Sequence, residues 1–377
     1  MPRAGPSARP INGFDNYALT ENIEQGALFG TATKLTSAAG GAVLFANSTL
    51  GSTLNGLGGN DILFDGAGND TLIGQGGSDT LTSNAGADLL MGGAGDDLYA
   101  ISNPNAALVE AVGAGTDIAI FQTNGSWVLA PNIEFGLLVG PARILTAMGT
   151  GQVLANFGAG GATIAGGSGS DTIWGKAGVT DTLFGQGGDD VLAGQGGTDT
   201  IFGGMGDDTF LVTSAGEGTD FAWVSVDGWT VPEFVERAGL NESARVLSAG
   251  AGAQVLFANP NFASTLSGGA GDDILYGTAQ AEVMTGGSGN DWYVSSGGAD
   301  RIVINAPNWG DDVVFGAHAG MILDMRGSGI AGLGSFTAIH DFAATETTPA
   351  TSIFQSALGS LVLSGMSKAQ AEAAMIF

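Results

Sequence analysis

GLGGNDILFDGAGNDTLIGQGGSDTL, residues 56–81, places aspartate at 61, 70 and 79, a spacing of nine kept without slippage. Five nonapeptides fill 56–100: GLGGNDILF, DGAGNDTLI, GQGGSDTLT, SNAGADLLM and GGAGDDLYA. Their sixth positions are Asp61, Asp70, Asp79, Asp88 and Asp97, and their eighth are Leu63, Leu72, Leu81, Leu90 and Tyr99. A nonapeptide of this kind divides into a six-residue glycine-rich turn and a three-residue strand with one inward apolar side chain. Two of them complete a coil, so alternate turns stack on one edge at the inter-strand spacing of roughly 4.8 Å. Carboxylates stacked at that distance repel unless a cation lies between them. Calcium fits, because it accepts six to eight oxygens from carboxylates and carbonyls in a flexible geometry, whereas magnesium demands an octahedron and holds its water.

The same ruler recurs twice more. A block from Gly166 carries Asp171, Asp181, Asp190, Asp199 and Asp208, with one extra residue in GKAGVTDTLF. A third from Gly268 carries Asp273 and Asp291 around the degenerate GTAQAEVMT, where Glu282 takes the aspartate position. A longer period of about a hundred residues is also present. LTSAAGGAVLFANSTLGSTLNG, LTAMGTGQVLANFGAGGATIAG and LSAGAGAQVLFANPNFASTLSG, from Leu35, Leu145 and Leu247, each lead into a block. An apolar-Glu pair precedes each of them: Ile23-Glu24, Ile133-Glu134 and Val235-Glu236. Units that bury their apolar face only against a neighbour make a solenoid. The expected class is therefore all-β, a parallel β-roll of three super-repeats. These divide the chain into an opening segment 1–22, repeats 23–134, 135–236 and 237–315 with calcium blocks 56–100, 166–211 and 268–294, and a cap 316–377.

Composition narrows the partners. With 10 basic and 37 acidic residues the formal charge is −27, which excludes nucleic acid and anionic membrane surfaces and favours cations. Glycine, at 67 residues, is well over twice the usual usage, yet 44% of residues are hydrophobic, so the chain is no disordered acidic tail. Cysteine is absent, which removes disulfides and thiolate-metal sites. No apolar stretch reaches the length of a membrane span. The opening MPRAGPSARPINGFDNY lacks the apolar core of a secretory signal peptide.

The nonapeptides resemble the repeats-in-toxin family, the haemolysin-type calcium-binding repeats, and the linking segments are similar to that family's inter-block strands. The resemblance implies ions bridging turns two repeats apart, with side-chain oxygen from the sixth-position aspartates. It further implies carbonyl oxygen from neighbouring glycines, namely Gly59, Gly68, Gly77, Gly86, Gly95, Gly169, Gly188, Gly197, Gly206, Gly271 and Gly289, and from third- or fifth-position residues. Stacked turns of this kind give roughly seven calcium ions. Asp65, Gln75, Ser83, Asn84 and Lys176 stand where the pattern has glycine. DDVVFGAHAGMILDMRGSG and GSLVLSGMSKAQAEAAMIF resemble the uncleaved tail read by type I secretion machinery, with alanine where the family has its acidic residue. Within that tail Ser367 and Gln370 form the pattern of a capping box that opens a short helix.

Simpler readings compete. Aspartate in one isolated glycine-rich turn is a turn former; ten in nine-residue register are not. His318 and His340 lie in no constellation, and the six tryptophans suit packing or sheet edges better than a sugar platform. A G-x-S-x-G elbow is absent, and SDTIWGKA lacks the first glycine and final hydroxyl of a phosphate loop. The Asp-Thr pairs at 70–71, 79–80, 171–172, 181–182 and 199–200 suggest an outward threonine face of the kind seen in ice binders, for which ordinary strand propensity suffices. The expectation is an extracellular, calcium-dependent structural protein that self-associates at a surface or in a matrix and has no catalytic domain. Two alternatives are a secreted adhesin or signalling protein that uses the roll as scaffold, and a calcium module of a secreted hydrolase or epimerase. Met1 and the secretion-like tail argue against the last.

Overall fold

The structure, a computed structural model, describes residues 9–12, 16–21, 23–38, 40–141, 143–211, 219–225, 227–232, 235–306, 308–336, 338–342 and 350–377. Of the opening segment, 1–8, 13–15 and 22 therefore lie outside the described residues. The chain divides into two compact units, Met1–Gln195 and Gly196–Phe377.

In the first unit, two- to six-residue strands alternate between two facing layers of parallel sheet. One layer runs without interruption from Gln25–Phe29 through Val43–Phe45, Ile62–Phe64, Thr80–Ser83, Leu98–Ile101, Ile118–Phe121, Phe135–Leu138 and Val153–Asn156 to Thr172–Trp174 and Val191–Ala193. In the first block Ile62 pairs with Thr80 and Thr80 with Leu98, so one coil is two nonapeptides. Within this unit the opposite layer is built from strands of two sheets, one that includes Thr71–Gly76 and Leu89–Ala94, the other Thr163–Ser168 and Thr182–Gly187. Each strand is too short to own a core, so the coils share one. Leu63, Leu72, Leu81, Leu90 and Tyr99 are all 0% exposed, as the eighth-position pattern requires.

The second unit repeats the plan. Phe221–Val224, Arg237–Leu240, Val255–Phe257, Ile274–Tyr276, Trp292–Val294 and Gly310–Phe315 stack in parallel, facing Val246–Ser248, Thr265–Ala270, Val283–Ser288, Arg301–Val303 and Ile322–Asp324. Its C-terminal end breaks the pattern. Gly359–Ser364 adds in parallel to Gly310–Phe315, and Thr351–Ser356 and Ala338–Phe342 then pair antiparallel. The helix Lys368–Ala374 is the one α-helix among the described residues, and Gln370 Oε1 accepts from the Ser367 amide and hydroxyl, each at 3.0 Å. Past it Met375–Ile376 pairs with Leu323–Asp324. Among the described residues no helix is long and apolar enough to cross a membrane.

Candidate metal centre

The residue before each strand of the uninterrupted layer turns its side chain along the solenoid edge. In the first unit these residues form one column: Asp61, Asp79, Asp97, Asp117, Glu134, Gln152, Asp171 and Asp190. Each aspartate accepts the amide of the residue one coil earlier. Asp79 Oδ1 accepts from Asp61 (2.7 Å), Asp97 Oδ1 from Asp79 (2.7 Å) and Asp117 Oδ1 from Asp97 (2.8 Å). Glu134 Oε2 accepts from Asp117 (2.7 Å), and beyond the linking coil Asp171 accepts from Gln152 (2.6 Å) and Asp190 from Asp171 (2.7 Å). The second unit carries the same order, Asp199, Asp220, Glu236, Gln254, Asp273, Asp291 and Asp312. Its bonds match: Asp199 to Asp220 and Asp220 to Glu236 (both 2.9 Å), then Gln254 to Asp273 (2.8 Å), Asp273 to Asp291 (3.0 Å) and Asp291 to Asp312 (2.9 Å).

One oxygen of each carboxylate is thus satisfied by the backbone. The other is not. Asp61, Asp79, Asp97, Asp117, Asp171, Asp273, Asp291 and Asp312 each bury an Oδ2 that has no hydrogen-bond partner. An anionic oxygen left bare in the interior is costly, so such a group neutralises itself or meets a cation. Burial, with repulsion from neighbouring carboxylates, pushes Asp61, Asp97 and Asp273 up to about 7, Asp117 and Asp291 up to about 6, and Asp312 up to about 8. The first-position glycine lets each carboxylate lie directly against its own turn. A Cβ on Gly74 would fall on the Asp79 carboxylate, and Gly56, Gly92, Gly166, Gly268 and Gly286 stand the same way to their own aspartates. The donor set, carboxylates among closely packed backbone carbonyls, suits a hard cation that accepts many oxygens, which is calcium. When bound there, calcium supplies the positive charge and coordination that the bare Oδ2 atoms lack.

The opposite edge differs in kind. Asp70 Oδ2 accepts the Gly66 amide (2.9 Å), Asp88 Oδ2 the Ser83 hydroxyl (2.6 Å) and Asp181 Oδ2 the Lys176 amide (2.7 Å). Glu282 Oε2 accepts the Thr278 amide (3.0 Å) and Asp300 Oδ2 the Ser295 hydroxyl (2.5 Å). Their first oxygens are engaged too: Asp70 by the Ser52 amide (2.6 Å) and Asp88 by the Asp70 amide (2.9 Å). On this edge both oxygens of the carboxylate are closed by the protein. Asp65, Asp70 and Asp88 nonetheless bring one oxygen each within 4.8 Å of one another. Asp208, like Asp190 and Asp199, is buried.

Of the fourth-position glycines, Gly59, Gly77, Gly86, Gly95, Gly169, Gly188, Gly197, Gly206, Gly271 and Gly289 take positive φ, and Gly68 does not. Gly77, at φ 115°, shows why the position excludes side chains: a Cβ there would strike the Gly59 carbonyl one coil away. Where the column needs no ion, a neutral amide stands in. Gln152 Nε2 donates to the carbonyls of Ile133 (2.5 Å) and Ala130 (3.4 Å) while its Oε1 accepts from Gly149 (2.8 Å). Gln254 does the same with Val235 (2.7 Å), Pro232 (2.9 Å) and Gly250 (3.0 Å).

Sequence reasoning did not reach Asp117, Asp220, Asp300 and Asp312, and took Glu134 and Glu236 only as repeat markers. The signal was there: SGGAD keeps the ruler, with Asp300 nine residues past Asp291, while GAGTD, GEGTD and NWGDD carry the same aspartate after insertions that break it. His318 contacts the carbonyls of Gly298 (2.8 Å) and Gly316 (3.1 Å), away from this column, and His340 falls in the strand Ala338–Phe342.

The family model described as RTX calcium-binding nonapeptide repeat (4 copies) matches residues 51–81, 65–99, 158–179, 180–210 and 261–293. These are RTX calcium-binding repeats. The match covers all three blocks, including the one whose central turn departs from the pattern. Asp117, Glu110 and Asp312 lie outside it. No curated protein matches the chain.

Proposed function

We propose that this chain is a secreted structural protein that leaves the cell unfolded through type I secretion machinery, folds on calcium outside, and self-associates into a surface layer or matrix. The column of buried carboxylates with bare second oxygens carries the proposal, because a core that contains them is stable only when cations or protons neutralise it. In this reading the sixth-position aspartates and fourth-position glycines hold the ions. In the same reading the chain is three copies of one unit with blocks at 56–100, 166–211 and 268–294, the tail 316–377 serves as export signal and cap, and the roll carries no catalysis of its own.

Self-association is supported by the outward side of the uninterrupted layer. Val43, Ile62, Leu98, Ile118, Phe135 and Val153 share one column across paired strands of the first unit, beside a second that includes Phe45, Phe64, Ile120 and Leu137. In the second unit Trp223, Phe257, Tyr276, Val294 and Phe315 line up likewise, with Phe257 and Tyr276 stacked at 5.0 Å. Ile62, Phe45, Tyr276 and Phe315 are exposed and the rest half-buried, and partly exposed apolar rows of this kind suit an interaction face. At −27 the free chain repels its copies, and bound calcium lowers that repulsion, so assembly follows ion binding.

The adhesin-like alternative has one observation of its own. A groove of about 730 Å³ on the first unit is walled by Phe135, Val153, Phe157 and Trp174 beside Lys176, a composition suited to a small ligand. Electron microscopy of the purified chain with calcium and with chelator separates the two. Sheets or filaments that form with calcium alone support the structural role; a monomer at every calcium concentration rejects it.

A further inference from the structure

Just past the first block, a third acid joins two members of the open column. The strand Ala107–Val109 pairs with Leu89–Met91, which brings Glu110 to the level of Gly92, the first-position glycine of the preceding coil. Asp97, Glu110 and Asp117 are all buried, and one oxygen of each lies within 4.8 Å of the other two. Asp97 Oδ2 and Asp117 Oδ2 have no hydrogen-bond partner, although the side chains are only 2% and 0% exposed. Glu110 is held in place from several sides. Its Oε1 accepts the amides of Ala111 (2.9 Å) and Gly93 (3.2 Å), its Oε2 accepts the Tyr99 hydroxyl, and Asn132 Nδ2 donates to its carbonyl (3.1 Å). The coil packs closely on the cluster, since a Cβ on Gly92 would strike both Asp97 Oδ2 and the Tyr99 oxygen.

We infer that Asp97, at the end of the matched repeats, forms with Glu110 and Asp117 beyond them a calcium site that fills before the two-carboxylate positions of the column. This rests on the calcium-binding reading and adds to it a ligand, Glu110, that the nonapeptide pattern does not contain. Calcium affinity rises with the number of charged ligands and with the rigidity of the site. Three carboxylates meet here, one clamped by a tyrosine hydroxyl and two amides, where neighbouring coils of the column bring two.

Calorimetric calcium titration of the full chain and of Glu110→Gln tests the site. The variant keeps the shape of the side chain and one acceptor oxygen for the Ala111 and Gly93 amides, turns an amide nitrogen toward the Tyr99 oxygen, and removes one charge. Its tightest calcium step weakens about tenfold or more, or disappears, while the later steps persist. If wild type binds calcium and Glu110→Gln gives the same number of ions with the same tightest step, the site is refuted while calcium binding by the repeats stands. If wild type binds no calcium, the broader reading fails first. A second measurement covers loss of folding in Glu110→Gln: terbium is added to wild type and to Tyr99→Phe, and its emission is excited through the aromatic rings. The first equivalent is bright in wild type and dim in Tyr99→Phe. Equal brightness in both overturns the assignment.

Discussion

Asp79 and Asp88 occupy the same position of adjacent nonapeptides, yet the fold asks different things of them. Asp79 offers one oxygen to the Asp61 amide and leaves the other bare, whereas both oxygens of Asp88 are engaged, the second by Ser83. Asparagine at 79 keeps an acceptor for the amide and removes the buried charge. Asp79→Asn therefore raises the calcium concentration needed for folding severalfold and also makes the metal-free chain easier to fold, two effects of opposite sign. Asp88→Asn shifts the calcium midpoint much less. Circular dichroism followed through a calcium titration checks both, and equal shifts would mean that the two edges are equivalent. Glu282→Ala, on the closed edge, belongs with Asp88. Leu81→Ala acts without reference to calcium: its side chain is 0% exposed, and its loss costs about 2–5 kcal/mol of stability in the calcium-bound state. The aspartates and inward leucines were legible because a period of nine fixes both. The difference between the edges was not, because it depends on whether residues such as Ser83 and Gly66 reach a carboxylate after the coil has closed.

At the scale of elements, the sequence announces short strands and glycine turns but not how the solenoid stops. SKAQ predicted the helix Lys368–Ala374, and its capping bonds are present. The strand after it, Met375–Ile376, has no periodic signature, since two residues cannot show one. Its pairing with Leu323–Asp324 gives the last coil a partner, and the antiparallel hairpin Thr351–Ser356 with Gly359–Ser364 covers the other layer. Bare strand edges template further pairing, so a terminal cap protects the array. Removal of residues 367–377 should leave calcium-induced β content nearly intact while promoting aggregation, visible as light scattering after calcium addition. Scattering no greater than that of the full chain would show that the tail has no capping role. Asp324, on the strand that Met375–Ile376 covers, is bound by Arg301 and Arg326, which hold its carboxyl well below the usual range. Its contribution is present above the ordinary carboxylate range and is lost only in strong acid.

For the molecule as a whole, the sum of buried carboxylates sets a dependence on pH that runs opposite to that of Asp324. In the metal-free fold burial raises Asp117 and Asp291 to about 6, Asp61, Asp97 and Asp273 to about 7, and Asp312 to about 8, against 3.8 for the free side chain. The folded chain thus binds more protons than the unfolded chain across that interval, so stability falls as pH rises. The stabilisation by protons is complete below the unfolded value near 4 and is lost as pH passes through 6 to 8. Calcium reverses the sign, because it requires the ionised carboxylates and displaces the protons. In excess chelator the chain should be β-folded at about pH 5.5 and largely unfolded at about pH 8, and calcium at pH 8 should restore the fold. The calcium concentration needed for folding should accordingly rise over the same interval, from little or none at about pH 5.5 to its full value at about pH 8. Circular dichroism at the two pH values, with chelator and with calcium, decides the matter. A chelated chain as well folded at pH 8 as at pH 5.5 would mean that the interior tolerates its ionised aspartates without an ion, and the column could not then be what couples folding to calcium.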